Sequence, residues 1–584
     1  MRLGTAVVVA VVATVLTAVP AHAAGEYDNV IVMVPDGCSQ SVVTAARWYK
    51  GEALAVDEWS AGMMSTYMKN SVITGSAAAA TAFATGHKTT VRFIGVGPRA
   101  EDVLSTEDVP PEEMQYKPLA TVLEGAKLQG KATGLISTSR ITHATPASYA
   151  AHIQDRGWDN EIMEHLVYQD INVVLGGGRR HLIPEAGGGR RTDGENLVQV
   201  LRDRGYEFVN GKIALEAASG PKVWGMFDDS HMEAEIDRLE FAPQQPSIAD
   251  MTSKALEILS QDPDGFFLMV EGSQVDWAGH ANDPIYMITD FLAFDDAVAE
   301  VLDFASNPAN GNTLVLIFPD HNTGALAIGS YYQQVSYTET KVEDLIGPLE
   351  GMKLSAYGVA RKLGDDTSTE NIKAQVKTWW GIDLTDEDLD AIFALVDSGL
   401  SFDYALSEYV SATYTVFGWT THGHTGEDVP VWTYASDGNR PFGQFDNTDM
   451  ALIAADAMGF SLDAVDSMLY IEAMERWPGA TMDMTDPENP VLKVGSSSLP
   501  ASKDLLYYQP MDLTLQMGGL TVHAPETGKC YIPFLAAVLI DGLEGQGTAL
   551  KSIGGLRDGM TVDEALQALG YDRDWIRDQV KVVE

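Results

Sequence analysis

The chain has 584 residues, 45% hydrophobic and 21% charged, enough apolar material for a large buried core and more than one domain. Lys and Arg number 38 against 83 Asp and Glu, a formal net charge of −45. That balance argues against a nucleic-acid binder, which works by neutralising phosphates with Lys and Arg, and it predicts a heavily hydrated surface suited to a salty habitat.

The chain opens with Met1-Arg2-Leu3, a small-apolar run from Ala6 to Val19, and Pro20-Ala21-His22-Ala23. A basic start, a short apolar core and an Ala-x-Ala end predict a secretory signal peptide cut after Ala23, hence a secreted or periplasmic protein. No later segment approaches the roughly 20 apolar residues of a membrane span. The two cysteines, Cys38 and Cys530, imply no disulfide framework and no bridge to each other.

Asp28 to Val34 is a predicted strand, ended by Pro35-Asp36-Gly37. This tripeptide reads as a plain turn, yet ligands of open α/β sheets gather at the carboxyl ends of strands, where Asp36 stands. A helix is predicted from Ser41 to Lys50. Thr74-Gly75-Ser76 then opens an alanine-rich helix that Gly86 terminates. Ser76 reads as an N-cap. The same place also welcomes a phosphate, and a hydroxyl there whose pKa a metal lowers becomes a nucleophile.

Lys131 to Ile136 is the next strand, leading to His143, Thr145 and then His152 and Arg156. Arg156 reads as a surface arginine or as a clamp whose planar fork holds two phosphate oxygens. Ile171 to Leu175 and Gly176-Gly177-Gly178 make a strand and turn without the spacing of a nucleotide-binding loop.

The richest stretch is Glu271-Gly-Ser-Gln-Val-Asp276-Trp277-Ala-Gly-His280, after an apolar strand (Gly265 to Val270) and before a helical pattern from Pro284 to Phe304. Asp276 and His280 are four apart, so one helical turn puts them on one face, as a zinc ligand pair or a surface pair. Glu271 offers a hard oxygen for an ion such as magnesium. Thr313 to Phe318 is a buried strand running into Pro319-Asp320-His321, and His422 and His424 follow an acidic, partly helical insertion from Ser330 to Ala412. The expected domain map is a signal peptide at 1–23, a catalytic domain at 24–470 with insertion 330–412 as a lid or crown, a Pro/Gly/Asp/Ser-rich linker at 471–502 and a small accessory module at 503–584. In that module Thr561-Val-Asp-Glu564 forms a capping box before a terminal helix.

Alternating strands and helices with Asp36, Glu271, Asp276, His280, Asp320, His321 and His424 near strand ends predict an α/β domain with a multi-metal site. With Pro35-Asp36-Gly37, Gly75-Ser76-Ala77, His143-Ala-Thr145-Pro146, Ala151-His152 through Arg156, Glu271-Gly through His280, Asp320-His321 and His424-Thr-Gly426 in this order, the sequence resembles the alkaline phosphatase family from the mature N-terminus to about Gly459. The resemblance implies a mostly parallel central sheet flanked by helices. It implies one zinc on Asp276, His280 and His424 and a second on Asp36, Asp320 and His321. Magnesium would lie between Asp36, Thr145 and Glu271, with His143 beside it. Ser76 would be the nucleophile and Arg156 the phosphate clamp, acting on small phosphate monoesters at alkaline pH through a phosphoserine, and a homodimer is typical of such proteins.

Three positions depart from or vary within the pattern. Against the pattern the resemblance implies, Gly75 replaces the usual Asp that orients the arginine, Trp277 stands where some relatives carry Lys or His, and His143 stands where other relatives have Asp. His422 is read as a neighbour of His424. Competing readings are a phosphodiesterase, pyrophosphatase or sulfatase of similar core, and a catalytically silent secreted surface protein.

Overall fold

Strands that are apolar at nearly every position can only be buried on both faces, which is the habit of parallel sheets covered by helices. Asn29–Pro35, Phe266–Gly272 and Thr313–Ile317 are of this kind and buried throughout. In the computed structural model, which describes residues 27–332 and 335–544 and the strand Met560–Thr561, they form the centre of a ten-stranded sheet. Asn29–Pro35 lies between the other two, parallel to both, with Pro35 beside Gly272 and Met33 beside Ile317. Beyond Phe266–Gly272 come Ala132–Arg140, Val173–Gly177, Val223–Met226 and Glu207–Val209, all parallel. Beyond Thr313–Ile317 come Val429–Ala435, Ser60–Ser65 and Gly443–Asp446.

Val429–Ala435 runs antiparallel to both its neighbours. Its reversal matters for function. Because it runs backwards, its amino end lies at the edge where the parallel strands have their carboxyl ends, and the chain entering it brings His424 there.

Successive side chains of a strand face opposite sides. Val30, Val32 and Val34 therefore join one hydrophobic core, and Ile31 and Met33 the other. The second core includes Pro284–Ser306, whose first turn is capped by Asp283 accepting from the Tyr286 N–H, and helices of the insertion. That insertion is helical, with Val342–Glu350, Ala356–Leu363, Thr369–Trp380, Asp386–Asp397 and Phe402–Tyr414. The first core includes Ser76–Thr85, buried at every residue and ended by Gly86 at φ 76°.

The segment expected to be a linker at 471–502 is instead sheet. Thr481–Asp483, Val491–Val494 and Ser497–Pro500 pair in succession and continue into Leu505–Tyr508, Leu513–Gln516 and Met560–Thr561. Asp486, Pro487, Pro490 and Gly495, which read as a boundary, sit in the turns between these short strands. Nor does the C-terminal part stand apart: Leu492, Leu499, Leu506, Leu515 and Ile540 belong to the same core as Val30 and Phe83. Arg204 binds Asp504 through both guanidinium nitrogens, at 3.0 and 2.5 Å, and Lys503 Nζ reaches Glu164 at 3.2 Å and Glu195 at 2.9 Å. Cys38 and Cys530 are buried free thiols. Among the described residues no helix is long and apolar enough to cross a membrane. The signal-peptide pattern lies outside the described residues, as does the capping box beyond Thr561.

Candidate active site

Four sheet strands deliver acidic and imidazole groups to one edge. Asp36 follows Pro35, Glu271 is the penultimate residue of its own strand, Asp320 and His321 follow Thr313–Ile317, and His424 precedes Val429. Asp276 and His280 project from the helix Gln274–Ala281. Gly37 makes the first turn possible. Its φ is +72°, and a Cβ there would come within 2.6 Å of the Asp276 Cα.

Two donor sets lie side by side at this edge. In the first, His280 Nε2 is 3.4 Å from Asp276 Oδ2, His424 Nε2 is 3.6 Å from Asp276 Oδ1, and the two Nε2 atoms are 3.2 Å apart. Both rings donate Nδ1–H to backbone carbonyls, His280 to His422 at 2.5 Å and His424 to Thr74 at 2.8 Å. That turns both Nε2 atoms into the same space beside Asp276, where a cation can take them. In the second set His321 Nε2 is 3.0 Å from Asp320 Oδ2 and 3.7 Å from Asp36 Oδ1. The His321 and His424 rings stack at 3.6 Å between centroids.

A third group forms on the other side of Asp36, where Asp36, His143 and Glu271 each offer an atom within 4.8 Å of the others. Both Asp36 carboxylate oxygens, Glu271 Oε1, Thr145 Oγ1 and His143 Nδ1 are buried without a hydrogen-bond partner. The four orphaned atoms on Asp36, Glu271 and His143 call for a partner of positive charge, since each costs about 1–3 kcal/mol unpaired.

The electrostatics agree with the crowding. Burial raises the Asp36 pKa well above the carboxylate range, helped by Asp320, Asp276 and Glu271, and burial also raises Glu271. At Asp276 burial is outweighed by hydrogen bonding to His280 and by the charges of His280, His321 and His424, which hold its carboxyl low. At Asp320 His321 does the same. Burial also opposes the charge of His280, but Asp276 and the His422 carbonyl push it up to about 9, whereas burial and His321 bring His424 down to about 4.

Ser76, the first residue of its helix, is buried with its Oγ 3.3 Å from His321 Nε2. Arg156 reaches the cluster through His143, its Nη2 2.9 Å from His143 Nε2. Among the described residues no carboxylate lies within ion-pair reach of Arg156. The structure thus brings Asp36, His143, Glu271, Asp276, His280, Asp320, His321, His424, Ser76 and Arg156 together, and Thr145 is buried two residues beyond His143. His152, quoted with Arg156 in the same motif, is not in this cluster. It is buried away from the site against Glu124 at 3.0 Å and the Tyr470 hydroxyl at 2.6 Å.

Several contributors carried no motif signal. Thr323 Oγ1 donates to Asp276 Oδ1 at 2.5 Å and lies 3.3 Å from His321 Nδ1. Ser137 Oγ donates to Glu271 Oε2 at 2.6 Å and touches Ser139 and Ser273. His422 is more than a neighbour, because its carbonyl orients His280 while its own ring bonds the His280 carbonyl at 2.7 Å and Glu408 at 2.8 Å. Strand-end serines and a lone Thr are too common in sequences to single out. A fourth acidic group, Glu164, Asp193 and Glu195, lies elsewhere, and Arg191 and Lys503 already supply its positive charge.

A family model described as alkaline phosphatase matches residues 27–460. Alkaline phosphatase 3 of Bacillus subtilis is 33% identical over 454 residues, covering 75% of this chain and 90% of its own length. The repressible alkaline phosphatase of Saccharomyces cerevisiae is 32% identical over 491 residues, covering 76% of this chain and 83% of its own. Among solved structures, alkaline phosphatase of Thermus thermophilus superposes with a TM-score of 0.66 at 27% identity, covering 76% of this chain and 94% of that one. The cold-active enzyme from a psychrophilic Shewanella sp. gives 0.62 at 29%, covering 74% and 99%.

Proposed function

The chain belongs to the alkaline phosphatase family, and from that premise we propose that it releases inorganic phosphate from phosphate monoesters through a phosphoserine formed on Ser76. The observation that carries this reading is the Ser76 hydroxyl at a helix N-terminus, 3.3 Å from His321 Nε2 and next to the donor sets.

The donor chemistry fits the metals of the family. Asp276, His280 and His424 form one mixed nitrogen and oxygen set, and Asp36, Asp320 and His321 another, of the kind zinc takes. Asp36, Glu271 and Thr145 offer only oxygens, the choice of magnesium, and the orphaned atoms at Asp36, Glu271 and Thr145 support it. When bound, such ions lower the pKa of the attacking hydroxyl and neutralise charge on attacking and leaving oxygens.

The chain's own residues supply the rest. Ser76 Oγ gives up its proton and attacks phosphorus, forming the Ser76–phosphate ester as the bond to the substrate alcohol breaks and the leaving oxygen takes up a proton. Water then attacks the same phosphorus from the opposite side, the Ser76–phosphate bond breaks, Ser76 Oγ regains a proton, and phosphate leaves. The free N–H groups of the Ser76 helix and the Arg156 fork bind the non-bridging oxygens in both steps. A monoester presents three such oxygens, whereas a diester has one of them blocked, so Arg156 favours monoesters. The leader pattern at residues 1–23 supports export of the enzyme.

The test compares hydrolysis of nitrophenyl phosphate and bis-nitrophenyl phosphate at alkaline pH with zinc and magnesium present. We expect a strong monoester preference and a loss of at least about a thousandfold in kcat for Ser76→Ala. A bis-ester preference would move the chain to phosphodiester chemistry, and an active Ser76→Ala variant would remove the phosphoserine.

A further inference from the structure

A cavity of about 530 Å³ lies beside the candidate site, on the flank of Asp276 and His280. Trp277, next to Asp276, and Ala281, next to His280, both line it. The Trp277 indole also meets the His143 ring edge-on, centroids 5.8 Å apart, and His143 touches Arg156. On another wall, Tyr404 stacks on His422 at 5.7 Å, the residue whose carbonyl orients His280. The insertion supplies Tyr357, Asp403 and Tyr404. So the helical insertion contributes to a compartment that shares Trp277 with the Arg156 side and adjoins the His280 side.

The lining has a definite chemical character. Its one arginine, Arg361, is answered within the cavity wall by Glu233 at 2.7 Å. Asp237, Asp283 and Asp403 form no ion pair among the described residues, although Asp237 accepts from Ser355 and Asp283 from the Tyr286 and Ala356 N–H groups. Burial pushes Asp237 and Asp283 up to about 6, so both are ionised at alkaline pH. His231 adds no charge, because burial and Arg140 bring it down to about 3. Trp277 and Tyr404 add aromatic surface to this negative wall. Aromatic faces backed by carboxylates recognise organic cations.

Building on the monoesterase reading, we propose that this cavity receives the alcohol part of the substrate and selects phosphate monoesters whose alcohol carries a cationic nitrogen, such as aminoalkyl or quaternary ammonium alkyl phosphates. The phosphate on Arg156 and Ser76 and the cation beyond Trp277 would then be held by opposite charges at the two ends of one small molecule.

Phosphocholine and its uncharged isostere 3,3-dimethylbutyl phosphate separate charge from shape. For the unmodified, metal-loaded protein we expect kcat/KM about tenfold higher for phosphocholine, the size of a partly desolvated cation–aromatic contact. In Asp403→Asn and in Tyr404→Leu that ratio should fall towards one. The ratio does not depend on the fraction of correctly folded enzyme, so a partly unfolded variant still reports. The same two ligands are titrated calorimetrically against the metal-loaded Ser76→Ala variant, where binding is read without turnover. Equal kcat/KM for the two esters, or a preference that neither substitution moves, overturns the cavity assignment while nitrophenyl phosphate turnover leaves the phosphatase reading intact. If no ester is hydrolysed the phosphatase reading fails, and the calorimetric ratio still decides the cavity.

Discussion

Gly75 leaves Arg156 held by a single side-chain hydrogen bond, to a histidine that burial and the guanidinium itself keep neutral. A guanidinium gripped by a carboxylate fork is ordered, whereas one on a single imidazole nitrogen retains more freedom and holds phosphate less firmly. Nothing lies within 4 Å of a Cβ built on Gly75, and its φ of −117° suits any residue, so Gly75→Asp should fold without strain. We expect this variant to bind product phosphate about tenfold more tightly, with a lower kcat if release limits turnover. An unchanged inhibition constant for phosphate would show that position 75 does not govern the arginine. Trp277 sits edge-on to both His143 and His231.

At the scale of elements, the short strands Asn322–Thr323 and His424–Thr425 pair antiparallel and tie the loop after Thr313–Ile317 to the loop before Val429–Ala435. Thr323 is their link to the donor sets, since one hydroxyl reaches both Asp276 and His321. Valine matches threonine in shape but cannot donate, so Thr323→Val should leave the buried packing nearly intact. Loss of an outer-shell hydrogen bond of this kind typically costs about ten- to a hundredfold in metal affinity, and chelator competition should show that loss for zinc. Unchanged zinc retention would mean the carboxylate is positioned by its helix alone. The contrast with what the sequence reveals is instructive here. Asp36, Glu271 and Asp320 were legible because long apolar runs end at them, and Asp276 and His280 because their spacing is one helical turn. Thr323, Ser137 and His422 were not, because they act through hydroxyls and a carbonyl that the fold brings to partners 47, 134 and 142 residues away. The strands of 481–500 were misread for a related reason. Each is three or four residues long, so turn residues dominate any local window.

For the whole molecule the dominating fact is a net charge of −45 carried by a core of ordinary composition. Part of the acid is spent on structure, as in the Arg204–Asp504 and Lys503–Glu164 pairs that join the C-terminal strands to the catalytic core. Much of it faces solvent. On the insertion Asp365, Asp366, Asp383, Asp386, Glu387 and Asp390 are exposed, and the ion pairs that answer them there run from Lys373 and Lys377. Salt acts on two opposed contributions. It weakens exposed ion pairs, each worth about 0–1 kcal/mol, and it screens the long-range repulsion of the surplus negative charge. The buried pairs are screened much less, so with so large a surplus the second effect should win. Between 0.05 and 1 M sodium chloride we expect the Tm to rise by roughly 2–4 °C, the shift that about 1 kcal/mol produces in a large domain, with phosphatase activity retained. A Tm that falls across that range, together with a steep loss of activity, would mean that the carboxylates work mainly through exposed pairs. The acidic surface would then be a feature of solubility and not of adaptation to salt.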